Sequence, residues 1–288
     1  MSARSPQGEE QEPGTLVVIG GAESVDDGRR HVILERFVQA AGGPGATLIV
    51  IPMAAALEAT GERYAAIFSR RGAGTVHVLN PKTPRHANSA RLIGRLEQGS
   101  GVFFTGGEQC RLAERLLGTR LERAIRAAHA RGVTVGGTSA GASFLSSVMI
   151  RFGRSGSVPR TGMADLAPGL GLTSKFVIDQ HFGRRNRTGR LLTALTLCPG
   201  TLGLGLGENT AAVIAGDHLE VVGHGTVVII DPTGFTTGAG RHAGKRSHRH
   251  VPIGMSGLTF HYLVHGASFE LTSRTATLPH VIARSDSP

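Results

Sequence analysis

The chain has 288 residues, 40% of them hydrophobic, with a formal net charge of +10 and a pI near 11. That length and apolar share are enough for a packed core, and they exclude a mostly disordered protein. No apolar run approaches the roughly 18 residues of a membrane span, so no membrane partner is expected. The basic charge invites a nucleic-acid reading, but aromatics make up only 5%, Trp is absent and the arginines are spread along helical segments. No nucleic-acid partner is expected either.

Residues 1–14 are polar and mildly acidic, without the charged start and apolar middle of a signal peptide. They read as a loose tail on a cytoplasmic protein, with residues 15–288 as a single α/β domain. Short continuous apolar runs at 15–19, 47–51, 75–79, 101–104 and 133–135 read as buried strands. Between them, residues 28–41, 57–70, 88–98, 108–117 and 121–131 read as helices. This alternation predicts an α/β fold with a mostly parallel sheet flanked by helices. From about residue 200, runs at 202–206, 210–214, 218–222 and 226–230 are separated by Gly, Asn and Asp turns. They predict an antiparallel meander closing the sheet edge, with a last strand near 258–264.

The first strand ends in Ile19-Gly20-Gly21-Ala22-Glu23. The third glycine of a dinucleotide loop is missing, as is an acidic residue to hold a ribose, so a tight turn is expected and no cofactor. Cys110 and Cys198 have no metal-site spacing and are expected to stay reduced, and Cys110 reads as a small buried thiol. The run 241–250 reads as a solvated loop, and His242, His248 and His250 lack the partners that complete a metal site.

The segment Gly136-Gly137-Thr138-Ser139-Ala140-Gly141-Ala142 follows an apolar strand and opens a helix, which is the form of a nucleophile elbow. Small neighbours let the backbone bend at Ser139 and let a carbonyl approach. Ligand crevices in such sheets lie outside the carboxyl ends of the strands, so the loops at Gly20–Gly21 and Gly106–Gly107 converge on the elbow. The N–H groups of Gly107 and Ala140 are the candidate oxyanion donors.

A serine needs a base and an orienting group. Asp179-Gln180-His181-Phe182 ends an apolar run and precedes Arg184, Arg185, Arg187 and Arg190, while Glu208 directly follows the run at 202–206. Ser139, His181 and Glu208 make one assignment. The other, Asp231 with His250 or His261, keeps the chain order of α/β-hydrolases. The arginines suit a carboxylate-bearing ligand. Their bland alternative is a solvated basic helix face.

These motifs, together with Phe104-Thr105-Gly106-Gly107-Glu108-Gln109 and Gly205-Leu206-Gly207-Glu208-Asn209-Thr210-Ala211, resemble the cyanophycinase family in order and separation. This is a serine peptidase family that also contains aspartyl dipeptidase. The resemblance implies a class I glutamine-amidotransferase-like α/β fold and a cytoplasmic homodimer. It implies an exopeptidase that hydrolyses cyanophycin, multi-L-arginyl-poly-L-aspartate, to β-Asp-Arg dipeptides. It further implies Ser139 as nucleophile, His181 as base and Glu208 as orienting carboxylate, with Gln109, Asp179, Gln180, Arg185, Arg187 and Arg190 holding the substrate. Glu108 stands where the family usually has Asp, and Gly207 where an acidic residue is common. A dipeptidase acting on small aspartyl or isoaspartyl peptides is the alternative within the class. A non-catalytic anion-binding protein is the alternative outside it.

Overall fold

The computed structural model describes residues 12–23, 32–239 and 250–279. The helical expectation for 28–31, most of the tail and the basic run 241–249 lie outside them. The first strand β1 (Leu16–Ile19) is fully buried, and helix α1 (Val32–Ala40) comes after it with Ile33, Leu34, Phe37 and Val38 inward. Next come β2 (Thr47–Ile51), α2 (Thr60–Arg70), β3 (Thr75–Val78), α3 (Pro84–Ala87) and α4 (Ala90–Leu96). The parallel half closes with β4 (Gly101–Phe104), α5 (Gln109–Leu116), α6 (Arg120–Ala130), β5 (Thr134–Thr138) and α7 (Ala140–Phe144).

These helices start where their caps allow. Thr119 accepts the Glu122 N–H at 3.2 Å, which satisfies a first-turn donor of α6, and the Glu122 carboxylate accepts the Gly118 N–H at 2.6 Å just before the cap. Fully buried strands of Val, Ile and Leu leave no polar face, as a sheet covered on both sides requires. On one face Phe37, Phe68 and Phe103 meet with ring centroids 4.9–5.4 Å apart.

The second half runs through β6 (Val148–Gly153), β7 (Ala164–Pro168), β8 (Phe176–Asp179), α8 (Thr188–Leu197), β9 (Leu202–Leu206), β10 (Thr210–Ala215), β11 (His218–Gly223) and β12 (Val227–Asp231). It ends with β13 (Thr236–Ala239), β14 (Ile253–Ser256), β15 (Thr259–Leu263), β16 (Ser268–Glu270) and β17 (Thr275–Thr277). The main sheet has nine strands in the order β17-β16-β11-β10-β1-β5-β4-β2-β3. From β1 through β3 every pairing is parallel, and from β1 outward to β17 every pairing is antiparallel. The fold is α/β, with a large mostly parallel sheet flanked by helices and antiparallel strands toward the C-terminus.

The expected meander takes a different form. Strands β9 and β12 pair with each other in a second sheet, β15-β12-β9-β8, while β10 and β11 join the main one. The chain therefore changes sheets at residues 207–209 and again after β11. Asn209 makes the first crossing with φ of 50°, and its N–H bonds the Gly21 carbonyl at 2.9 Å. Gly207 N–H bonds the Thr226 carbonyl at 2.9 Å on the other side. The turn carrying Glu208 is thus stitched into both sheets. Gly14, assigned to the tail by composition, already bonds the His129 carbonyl at 2.8 Å.

Candidate active site

Strand β5 runs to Thr138 and delivers Ser139 with φ of 52° and ψ of −114°, which side chains strongly disfavour. Such a residue costs about 1–3 kcal/mol and persists only where its surroundings over-determine it. Here they do. Ser139 N–H bonds the Ile19 carbonyl at 2.9 Å, and its own carbonyl accepts from Ala142 and Ser143 at 3.1 and 3.2 Å. Helix α7 lies so close to the strand that a Cβ at Gly137 would sit 2.5 Å from the Gly141 backbone. The glycines flanking the serine are therefore a packing requirement.

His181 comes directly after β8 with φ of 49°, and its N–H bonds the Gly20 carbonyl at 2.9 Å. The imidazole lies over Gly21, where a Cβ would come within 2.5 Å of the ring. Nδ1 is 2.7 Å from Glu208 Oε1, and Nε2 is 2.9 Å from Ser139 Oγ. A carboxylate only accepts, so Nδ1 carries the hydrogen and Nε2 is left to accept from the serine hydroxyl. Burial lowers the His181 pKa below its ordinary value, the Glu208 hydrogen bond opposes this, and the Arg185 charge adds to it. The net lowering favours the neutral ring, the state a general base needs.

Glu23 was missed by sequence reasoning. It is 8% exposed and accepts Tyr64 Oη at 2.5 Å and Thr138 Oγ1 at 2.6 Å. Burial and the Glu23 charge raise the Tyr64 pKa well above normal, which keeps the phenol a donor. Glu23 thereby ties the glycine loop under His181 to the residue before Ser139. The acid in the first glycine motif was the available signal, but its partner Tyr64 lies 41 positions away.

The basic cluster divides. Arg187 and Arg190 are 7% and 5% exposed, so the solvated-face alternative does not describe them. Arg190 holds Asp179, itself 1% exposed, through Nε at 2.9 Å and through a second, very short contact from Nη2. Arg187 Nη1 donates to the Gln180 carbonyl at 2.5 Å, Gln180 Oε1 at 2.9 Å and Asp179 Oδ1 at 3.3 Å. Among the described residues Arg187 Nε is buried without a partner. Burial brings the Arg187 pKa down to about 10, against the pull of Asp179. Arg185 is exposed, and Arg184 Nε lies 3.5 Å from Glu208 Oε2. Gln109 Nε2 donates to the Ile150 and Arg151 carbonyls at 3.0 and 2.8 Å, fixing the start of α5 to β6.

Gly107, with φ of 143°, turns so tightly that a Cβ would lie 2.1 Å from the Ala54 carbonyl. Gly106 backs onto Ser139, its would-be Cβ 3.3 Å from the serine Cβ. The loop and the first N–H of α7 thus flank one hydroxyl, and first-turn N–H groups have no intrahelical acceptor. Glu108 turns to Arg111, 3.0 Å away. At Gly207 a Cβ would meet the Thr226 carbonyl at 2.8 Å, so an acidic side chain there requires the crossing turn to shift.

The rival partners point elsewhere. Asp231 accepts the Thr233 N–H and hydroxyl at 2.9 and 2.7 Å, and His261 stacks edge-on against Phe269. His250 meets Arg154. Cys110 and Cys198 are half-buried free thiols with pKa values raised chiefly by burial, the opposite of an activated nucleophile. Among the described residues no group of three or more His, Cys, Asp or Glu could hold a metal. None of their helices is long and apolar enough to cross a membrane.

A serine on a strained strand-to-helix turn, in line with a neutral histidine and a carboxylate, has the chemistry of a serine-type hydrolase. Comparison with known proteins makes the class narrower. The chain belongs to peptidase family S51, whose model matches residues 16–222, and it is a serine-type peptidase. It is 39% identical over 284 residues to the cyanophycinase of Trichormus variabilis, covering 98% of this chain and 92% of that protein. With the cyanophycinase of Geminocystis herdmanii it is 40% identical over 257 residues, covering 88% and 92%. Among solved structures, a peptidase from an acI-B1 actinobacterium shares the fold with a TM-score of 0.65 at 22% identity, covering 91% of this chain and 98% of that one.

Proposed function

We propose that this chain is a serine exopeptidase that degrades cyanophycin to β-Asp-Arg dipeptides through an acyl-enzyme. The observation that carries the reading is the unbroken hydrogen-bonded line from Ser139 through His181 to Glu208, in a chain similar to cyanophycinases over nearly its whole length. His181 Nε2 takes the hydroxyl proton as Ser139 attacks the scissile aspartyl carbonyl, and Glu208 stabilises the imidazolium. The N–H groups of Gly107 and Ala140 receive the developing oxyanion. The imidazolium returns its proton to the leaving amine, and water then releases the acyl group by the same route. No metal or cofactor enters these steps.

In cyanophycin each arginine is joined through its α-amino group to an aspartate β-carboxyl, so every branch ends in a free α-carboxylate and a guanidinium. The exposed guanidinium of Arg185 suits the carboxylate, with the buried Arg187 charge behind it. Asp179, Gln180, Gln109 and Arg190 set the shape of that pocket, with Asp179 and Arg190 holding each other. Residues 15–288 act as one domain, and the working form is a cytoplasmic homodimer, as the family resemblance implies.

The test is mass spectrometry of products after incubation with cyanophycin, beside α-Asp-Arg and β-Asp-Arg peptides. Release of β-Asp-Arg from the polymer, absent with Ser139→Ala, is the expected result. Hydrolysis of small aspartyl peptides with the polymer left intact would favour the dipeptidase alternative.

A further inference from the structure

Beyond the triad, a cavity of about 480 Å³ is lined by Arg154, Ser155, Ser157, Arg160, Met163 and His250, among others, and no carboxylate among the described residues lines it. Its two guanidiniums are both held against His250. Arg154 Nη1 is 3.0 Å from His250 Nε2, and Arg160 Nη1 donates to the His250 carbonyl at 3.0 Å. An arginine only donates, so both guanidiniums keep donors free for a ligand. Among the described residues neither is paired with a carboxylate. Other arginines near the site are paired, Arg151 with Asp165, Arg184 with Glu208, and Arg187 and Arg190 with Asp179. Oriented, unneutralised guanidiniums facing open space are a preorganised acceptor for a carboxylate.

The cavity shares a wall with the active-site cluster. Gly156 N–H bonds the Asn186 carbonyl at 2.6 Å, and the Gly156 carbonyl accepts from Gly189 at 2.8 Å. The Arg190 side chain fills the space beside Gly153, its Cδ 2.3 Å from where a Cβ would stand. The Arg160 N–H and carbonyl both bond Thr193 Oγ1 at 3.2 Å. The loop carrying Arg154 and Arg160 is therefore fastened to the turn and helix that carry Arg187 and Arg190.

We infer that this cavity is a second carboxylate subsite, which takes a free carboxylate of a peptide extending past the unit held beside Ser139. It rests on the reading of the chain as an enzyme for a carboxylate-rich polymer, and it adds a means of telling long chains from single units. Two anchoring points on one chain raise affinity with length without a new contact at the scissile bond.

The experiment is calorimetric binding of β-Asp-Arg and of a ten-repeat β-Asp-Arg oligomer to Ser139→Ala protein, with and without Arg154→Gln/Arg160→Gln. The expected result is a loss of roughly tenfold for the oligomer, the order of one charge-assisted hydrogen bond, with the single unit unaffected. Arg154→Lys/Arg160→Lys, which keeps the charge but not the fork, should fall between. Unchanged oligomer affinity, equal losses for both ligands, or no binding of the oligomer to any form would overturn the inference. Failure of the unmutated enzyme to release β-Asp-Arg from cyanophycin would count separately, against the proposed function.

Discussion

At the scale of single residues, Ser139 combines chemistry with stored strain. Its positive φ is one that glycine adopts at little cost, so Ser139→Gly should be about 1 kcal/mol more stable than Ser139→Ala, while both are inactive. Urea unfolding of the two variants measures the difference, and equal stabilities would mean the turn is relaxed. His181 supplies a second expectation. As the proposed base it works only when unprotonated, and burial lowers its pKa, so the acid limb of kcat/KM should lie below the pH at which an ordinary imidazole titrates. Arg185 is one cause of that lowering. Arg185→Gln should therefore move the acid limb to higher pH, whatever it also does to KM. A limb that stays in place in this variant would remove Arg185 from the electrostatics of the base.

At the scale of elements, two buried carboxylates fasten strand ends to neighbouring elements. Asp179 ends β8 and binds Arg187 and Arg190 at the start of α8. Asp179→Ala leaves both guanidiniums buried without their anion, and removing one partner of a buried pair costs about 3–5 kcal/mol. A large fall in melting temperature is expected, and an unchanged one would contradict the geometry. Glu23 joins the end of β1 to the end of β5 through Thr138, with Tyr64 of α2 behind it. Glu23→Gln keeps the volume but loses at least one of the two acceptors. It should lower kcat several-fold with KM little changed, since it displaces the serine and the floor of the histidine rather than the substrate. A change confined to KM would place Glu23 elsewhere in the mechanism.

These elements also show which features the sequence expresses. Strands β1, β2 and β4 are continuous apolar runs because both faces are covered, and such runs are visible without a structure. The elbow is visible for a similar reason, since a strained turn packed against a helix admits only small neighbours. The buried role of Arg187 and Arg190 is hidden, because arginine is ordinarily solvated and nothing in their spacing announces Asp179 as a partner. Strands β6 and β7 escape notice because β6 is half exposed and carries a register shift between Ile150 and Phe152.

At the scale of the whole molecule, the site lies on the seam between two sheets. Ser139 comes from the main sheet, His181 from the end of the second, and Glu208 from the turn where the chain crosses between them. Sequence reading named all three residues but laid β9 to β12 in one meander. Segments Leu202–Leu206 and Thr210–Ala215 are almost equally buried, and burial alone does not say which sheet a strand joins. The chain order Ser, His, Glu arises from that crossing, since the parallel neighbours β8 and β9 end side by side and present His181 and Glu208 together. In the proposed mechanism Ser139 is a nucleophile activated by His181 across this seam. The most direct measurement is labelling with a fluorophosphonate probe, and then peptide mapping of the modified residue. One adduct is expected, on Ser139, lost in Ser139→Ala and slowed by orders of magnitude in His181→Ala. An adduct on any other residue, or labelling of His181→Ala at the unmutated rate, would contradict it.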